Sequence, residues 1–444
     1  MSTSALIVIL SAIIYCILVF AFTLLARSEH CFFHTKNISI YLAVVIFLSV
    51  YANLMLSILT SYGDSGGISD YTNFLISHPL CEYLPSARIT YPPVFCYVYL
   101  LLGKFATFLH IPIAGDSRWF LLLMKIPCFF VEYIMAGMFY QYTRKKYTER
   151  HAIPILIATV CNPAYLLLTA YISQVDALYA FFVVLTVYLL YQKKLIPAYF
   201  AFATAILFKF QAVFITPVVF LATLNDVILH DFEWKNLWKH LLGGFSAIGY
   251  MILCYIPFLF DFSKRSFIDY GITDNFTNSI ASYGLATQNA PNLWYLLGYN
   301  FKSEYELLGP FTCTTWYHVF IVLLVFLCIG LFWIRREDRT IYPLLAALLV
   351  SGTVCFAVRI MPRYLYAAAG LTTFAFILKW TKKRFICMIS MNLCLFLINA
   401  SDYLLYPIAV YTPELIVPRL ISLYTLVCFV IVIVTILSLP QQIK

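Results

Sequence analysis

Apolar runs of about 20 residues, the length a helix needs to cross a hydrocarbon core of roughly 30 Å, recur along the whole chain and are separated by short polar turns. They lie at 4–26, 38–60, 117–141, 152–171, 177–192, 241–260, 314–334, 340–357, 364–379, 385–400 and 416–438. Taken as spans, they predict an all-α, polytopic membrane helix bundle with about 11 full crossings. Two further apolar segments carry a different pattern. Residues 91–110 open on Tyr91-Pro92-Pro93, and proline biases its predecessor away from helix; this segment is expected to lie at the outer membrane interface or to dip in and return. Residues 196–224 have lysine-rich flanks at both ends. They are expected to form a re-entrant hairpin of two half-helices turning near Lys209-Phe210-Gln211, because broken helices at depth are tolerated where they line a cavity.

No Gly/Ser linker, low-complexity tract or soluble domain interrupts this pattern. The chain reads as a single membrane domain over 1–444, with an extra N-terminal span in 1–36, a core over 37–370 and C-terminal spans in 371–444. Residues 4–26 lack a basic n-region and a small-residue cleavage site, so they are expected to be the first span rather than a removable leader.

Composition agrees: 63% of residues are hydrophobic and 11% charged, well outside the range of ordinary soluble domains. A net charge of +9 would suit nucleic acid in a soluble protein. Here the basic residues collect in short loops, at Arg144–Arg150, Lys193-Lys194, Lys235–His240, Arg335–Arg339 and Lys379–Arg384. That is the orientation signal of membrane insertion, and no nucleic-acid partner is expected. With those loops cytoplasmic, the long polar loops 61–116 and 261–313 face outward, as do the turns at 171–176, 358–363 and 401–415. The 13 cysteines fall mostly inside apolar runs, as at Cys16, Cys128, Cys254 and Cys428, and read as small buried hydrophobes.

Ionisable residues at the ends and in the interior of spans are costly and therefore functional candidates. On the expected outer face these are Asp64, Asp70, Glu82, Arg88, Asp116, Arg118, Asp176, Arg359 and Arg363. The stretch SDYTNFL around Asp70 has the pattern of a short amphipathic surface helix. YISQVDALYAFF places Gln174 and Asp176 in a minimal turn, where an Asp also caps the following helix. FAVRIMPRYLYAAAG sets Arg359 and Arg363 four apart; guanidinium forks match phosphate bidentately, and headgroup snorkelling is the plainer alternative. Lys209 lies among apolar residues in AFATAILFKFQAVFITPVVF. In a hairpin it would face a buried anionic group with Gln211 beside it; in a single helix it would be a paired core lysine.

Five pieces in this order, DYTNF, YPPVFCYVYLLLGKF, NPAYLLLTAYISQVDALYAFFVVLTVYLL, LFKFQAVFITPVVFL and ATQNAPNLWYLLG, spread over residues 60–370, resemble the bacterial membrane mannosyltransferase-like proteins related to GPI mannosyltransferase II. These are GT-C glycosyltransferases. The family's His-Glu-Arg-Tyr pattern reads Met361-Pro362-Arg363-Tyr364 here. The resemblance implies transfer of a hexose from a polyprenyl-phosphate donor to a lipid-linked or glycan acceptor on the outer face of the cell membrane. It implies an acid in the first outer loop, Asp70 or else Asp64, as base or as ligand of a divalent Mg or Mn ion. Arg359, Arg363 and Lys209 would receive the donor phosphate, and Tyr91, Gln174, Asp176, Gln211, Gln288, Asn289, Asn292 and Tyr364 would face substrate. The donor's tail would lie among membrane lipids and aromatic-rich helices. Two alternatives remain open: a polysaccharide polymerase or ligase acting on polyprenyl-linked sugars, and a polytopic lipid or solute transporter.

Overall fold

A helix that is apolar on every face is buried either in protein or in lipid, and helices of the first kind form the centre of this molecule. The computed structural model describes residues 35–59, 65–84, 91–229, 234–268, 275, 284–405 and 415–438; the expected span at 4–26, Asp64 and Arg88 lie outside the described residues. In chain order the helices are α1 (Thr35–Leu59), α2 (Ser65–Ser77), α3 (Pro93–Phe108), α4 (Arg118–Lys146), α5 (Glu149–Val160), α6 (Asp176–Tyr191) and α7 (Leu195–Phe208). They continue as α8 (Thr216–Leu224), α9 (Trp234–Leu259), α10 (Cys313–Arg335), α11 (Tyr342–Phe356), α12 (Tyr366–Leu378), α13 (Lys382–Ala400) and α14 (Ile416–Leu437). Two minimal antiparallel strand pairs, Phe260–Asp261 with Ser266–Phe267 and Leu307–Leu308 with Phe311–Thr312, decorate the loops.

Helix α12 is buried at every position and α11 at all but its last. A single apolar core reaches from Ile68 to Ile436 around them. At the periphery α9 and α10 leave large apolar side chains such as Phe245, Leu253, Phe326 and Trp333 exposed, as lipid-facing helices do. Among the described residues eight helical stretches are long and apolar enough to cross a membrane, and Leu42–Ile58, Pro93–Phe108, Asp176–Tyr191 and Leu195–Phe208 are shorter apolar ones. The molecule is a mostly helical membrane protein.

The basic loops gather at one end of the bundle. Lys146 donates to the carbonyl of Leu378, Arg335 to that of Leu437, and Arg339 pairs with Asp226. Buried Arg384 donates to the Ala375 carbonyl at 2.8 Å and to Thr340 Oγ1 at 2.6 Å. Several of these bonds take up carbonyls that helix C-termini leave without intrahelical partners.

Segment 195–224 breaks at Lys209, whose backbone is extended (φ −160°, ψ 128°), and resumes through the 3₁₀ turn Phe210–Ile215. Tyr199 OH lies 2.8 Å from Thr223 Oγ1. Its two arms, α7 and α8, therefore run antiparallel, with both outer ends beside the basic loops and Lys209 at the tip.

Helix α2 turns Ile68, Thr72 and Leu75 inward and leaves Asp70 exposed. It rides closely on α3: a Cβ built on Gly103 would stand 2.6 Å from Thr72 Cγ2 and 2.8 Å from Ile76 Cγ2. Both atoms belong to β-branched side chains, which are stiff on a helix. Gly103→Leu is expected to lift α2 at a cost of about 1–3 kcal/mol, the range for overpacking. Faster labelling of a cysteine placed at Leu75 would register the displacement; an unchanged rate would refute this close contact.

Candidate functional site

Three charged side chains from distant parts of the sequence meet at the end of the bundle opposite the basic loops. The chain approaches that end from α5 through the helical turn Pro163–Tyr165 and a π-turn, Leu166–Tyr171. Asn162 starts this stretch by accepting from Ala164 N. Ser173 then takes a left-handed conformation (φ 68°), and α6 begins at Asp176, whose charge is favoured there by the helix N-terminus. The second charge is Lys209, at the hairpin tip. The third is Arg363, in the 3₁₀ turn Pro362–Leu365 that leads into α12.

Asp176 is fully buried, and Lys209 and Arg363 nearly so. Lys209 Nζ lies 2.6 Å from Asp176 Oδ1, and Arg363 Nε 3.6 Å from Oδ2. The Lys209 ammonium sits 4.6 Å from the ring centre of Tyr364 and 5.5 Å from that of Tyr179, close enough for cation–π attraction. Tyr179 OH donates to the backbone carbonyl of Tyr364 at 3.2 Å, tying the start of α6 to the turn that carries Arg363. Tyr403 OH stands 3.5 Å from Arg363 Nη1.

Around these charges are buried polar atoms that no group among the described residues satisfies: Ser173 Oγ, both amide atoms of Gln174, Gln211 Oε1 and Gln288 Oε1. Ser173 and Gln174 precede Asp176, Gln211 follows Lys209, and the Gln288 backbone N–H reaches the carbonyl of Ile360, three residues before Arg363. Buried polar atoms are normally hydrogen-bonded. Orphaned atoms also occur at the basic end, on Asn225, His240 and Arg339; what singles out this group is its place beside two buried cations, where a polar anion would be welcome. Backbone strain points to the same loops, since Ser173, Asn289 (φ 50°) and Arg359 (φ 61°) all adopt the left-handed region.

Of the residues singled out from the sequence, Gln174, Asp176, Lys209, Gln211, Arg363 and Tyr364 are brought together. Others serve the architecture. Arg359 is clamped bidentately by buried Glu304, Nε to Oε2 at 2.7 Å and Nη2 to Oε1 at 2.5 Å; the hydrogen bond raises the guanidinium pKa further above its usual value. Asn292 caps the turn Leu293–Leu296 through Tyr295 N and donates to the Val354 carbonyl. Asn289 exchanges hydrogen bonds with Asn300. Tyr91 stacks on Phe95 at 3.9 Å and meets Tyr71 edge-on. Among the described residues no hydrogen bond or ion pair joins Asp70 to the cluster.

Glu304 with Asn292 and Trp294 thus docks the loop 284–312 onto the segment 354–360. Arg359→Ala leaves the Glu304 carboxylate buried without that partner. Docking is expected to weaken by about 2–3 kcal/mol, less than for a fully buried pair because Arg359 is partly exposed. Faster amide hydrogen exchange confined to 284–312 is the expected readout, and an unchanged exchange pattern would contradict it.

A second buried cluster escaped the sequence reading. Glu132, in the middle of α4, accepts from Thr169 Oγ1 and from Tyr366 OH, each at 2.5 Å. One face of α4 also carries buried Lys125, which donates to the Ala170 carbonyl at 2.7 Å. The signal was available: two ionisable residues seven apart inside an apolar span share a helix face.

Among the described residues no three His, Cys, Asp or Glu side chains gather as ligands for a metal ion. The cations around Asp176 do not fit Mg or Mn there; the metal role expected at Asp70 is a separate matter, and no step below is routed through a metal. A scan against protein-family models returns no match, and no curated protein matches the chain.

Proposed function

We propose that the Asp176–Lys209–Arg363 cluster receives the phosphate of a polyprenyl-phosphate sugar and that the protein is a GT-C-like hexosyltransferase of the cell membrane, with this end of the bundle on the outer face and the α7–α8 hairpin re-entering from the cytoplasmic side. The observation that carries the reading is the convergence of an ammonium and a guanidinium, both buried, on one carboxylate. An ammonium has three N–H donors and a guanidinium five, so each can hold Asp176 and a phosphate oxygen together. Phosphate is already a good leaving group. What its departure needs is positive charge at the oxygens where negative charge grows.

In this reading the acceptor hydroxyl attacks the anomeric carbon as the bond to the phosphate oxygen breaks, the electron pair leaves with the phosphate, and the configuration inverts. A carboxylate takes the hydroxyl proton. Asp176 is engaged by two cations and serves to hold them in place. Asp70, exposed on α2, is the base, with the acceptor bound between it and the cluster.

The test is incubation of the purified protein, in lipid nanodiscs, with a panel of radiolabelled polyprenyl-phosphate sugars. Consumption of one donor, abolished in Asp70→Asn, is the expected result. Consumption that survives Asp70→Asn would move the base role to another group and favour the polymerase or ligase reading. If wild-type protein consumes no donor, the transferase is wrong. A transporter reading draws on the buried charges at a helix break; cysteines near Lys209 labelled from both membrane faces would favour it.

A further inference from the structure

At the opposite end of the molecule a cavity of about 680 Å³ opens between α4, α6 and the start of α7. Lys145, Lys146 and Lys194 line it together with the amides of Gln141 and Gln192, and no acidic side chain does. Lys146 is committed elsewhere: it donates to the Leu378 carbonyl and lies over the rings of Tyr142 and Tyr147. Among the described residues Lys145 and Lys194 form no ion pair and no side-chain hydrogen bond. Two exposed ammonium groups, one from α4 and one from the turn between α6 and α7, therefore face one polar hollow.

The inner part of the cavity is apolar, formed by Ile134, Gly137 and Met138. From it an exposed apolar stripe runs along α4 toward the middle of the bilayer: Ile134 (40% exposed) and Phe130 (66%), four residues apart. Helical rise puts Phe130 about 22 Å along the axis from Lys145. One helix face thus passes from apolar stripe to small-residue floor to lysine. This matches, in order, the acyl chain, glycerol and phosphate of a phospholipid.

We propose that this cavity is a binding site for an anionic phospholipid of the leaflet at the basic end, its phosphate held by Lys145 and Lys194 and one acyl chain laid along Ile134 and Phe130. Basic pockets between membrane helices suit anionic headgroups. The site is independent of the transferase reading, because none of its residues belongs to the Asp176 cluster.

The test uses the full chain purified in a neutral detergent. Dioleoylphosphatidylglycerol, dioleoylphosphatidylcholine and inorganic phosphate are titrated separately, with binding read by native mass spectrometry and by the thermal midpoint. Phosphatidylglycerol is expected to bind saturably and more tightly than phosphatidylcholine. The double variant K145Q/K194Q is expected to weaken that binding about 30-fold, at about 1 kcal/mol for each lysine beside an anionic headgroup. The control pair K235Q/K382Q removes two charges of the same basic loops, on α9 and α13, that do not line the cavity, and is expected to change it less than about three-fold, since salt screens charges that make no direct contact with the headgroup. Equal weakening in both pairs would reduce the effect to diffuse surface charge and overturn the site. So would indifference between the two lipids, or competition by inorganic phosphate at matched concentration. Should K145Q/K194Q not fold, G137F replaces it. A Cβ on Gly137 meets nothing within 4 Å and Gly137 lines the cavity, so the ring is directed to occupy the floor, and unweakened phosphatidylglycerol binding in G137F would equally overturn the proposal.

Discussion

Exchanging Lys209 for methionine is expected to lower sugar transfer by about 10²–10³-fold, the usual cost of removing one preorganised electrostatic partner of a transition state. Methionine keeps the length and apolar stem of lysine, so the hairpin tip keeps its packing against Tyr179 and Tyr364. Asp176 retains Arg363 at 3.6 Å and its place at the start of α6. The loss should therefore appear in turnover, with a stability cost smaller than that of removing Asp176, because Arg363 still neutralises the buried carboxylate. Initial rates of donor consumption, with kcat and KM separated, give the readout. Lys209→Arg is expected to recover part of the rate, because it restores the charge with a different donor geometry. A methionine variant with wild-type turnover would remove Lys209 from the phosphate site.

Asp176→Ala has the opposite profile, a large effect on stability whatever the chemistry. It leaves an ammonium and a guanidinium in the interior without the carboxylate that holds them. Breaking a buried pair in this way costs about 3–5 kcal/mol. Reversible unfolding of the purified protein in mixed dodecyl sulfate micelles measures it. The double variant Asp176→Ala with Lys209→Met removes the stranded ammonium as well and is expected to regain the part of the loss due to it, while Arg363 still lacks its carboxylate. The interaction term of this double-mutant cycle reports the Lys209–Asp176 bond itself. Purely additive effects would mean that the 2.6 Å contact contributes little.

Much of the helical layout was legible in the sequence. The run 314–334 became Cys313–Arg335, 416–438 became Ile416–Leu437 and 117–141 became the start of α4, because a span must be long, apolar and bounded by polar turns. The break at Lys209 was also legible, from a lone cation and lysine-rich flanks at both ends. Pairing between distant segments was not. Nothing in the local pattern of FAVRIMPRYLYAAAG distinguishes Arg359, held by Glu304 from the loop 284–312, from Arg363, which turns to Asp176. Asn289 and Asn292 looked like substrate contacts because amides serve equally well as loop caps, and only the fold reveals which use is made of them. Glu132 was missed for another reason: attention fell on the ends of spans, whereas this carboxylate sits mid-helix with its partners on two other segments.

Helix α12 has a consequence for how the protein is made. Its 13 residues extend about 20 Å, short of the roughly 30 Å hydrocarbon core, and every side chain is enclosed by neighbours. Such a segment gains little from partitioning into lipid by itself. It is expected to settle only in company with α11 and α13, so that a cysteine placed in α12 is labelled by a thiol reagent in a nascent chain halted just after Leu378 and protected in one halted after α13.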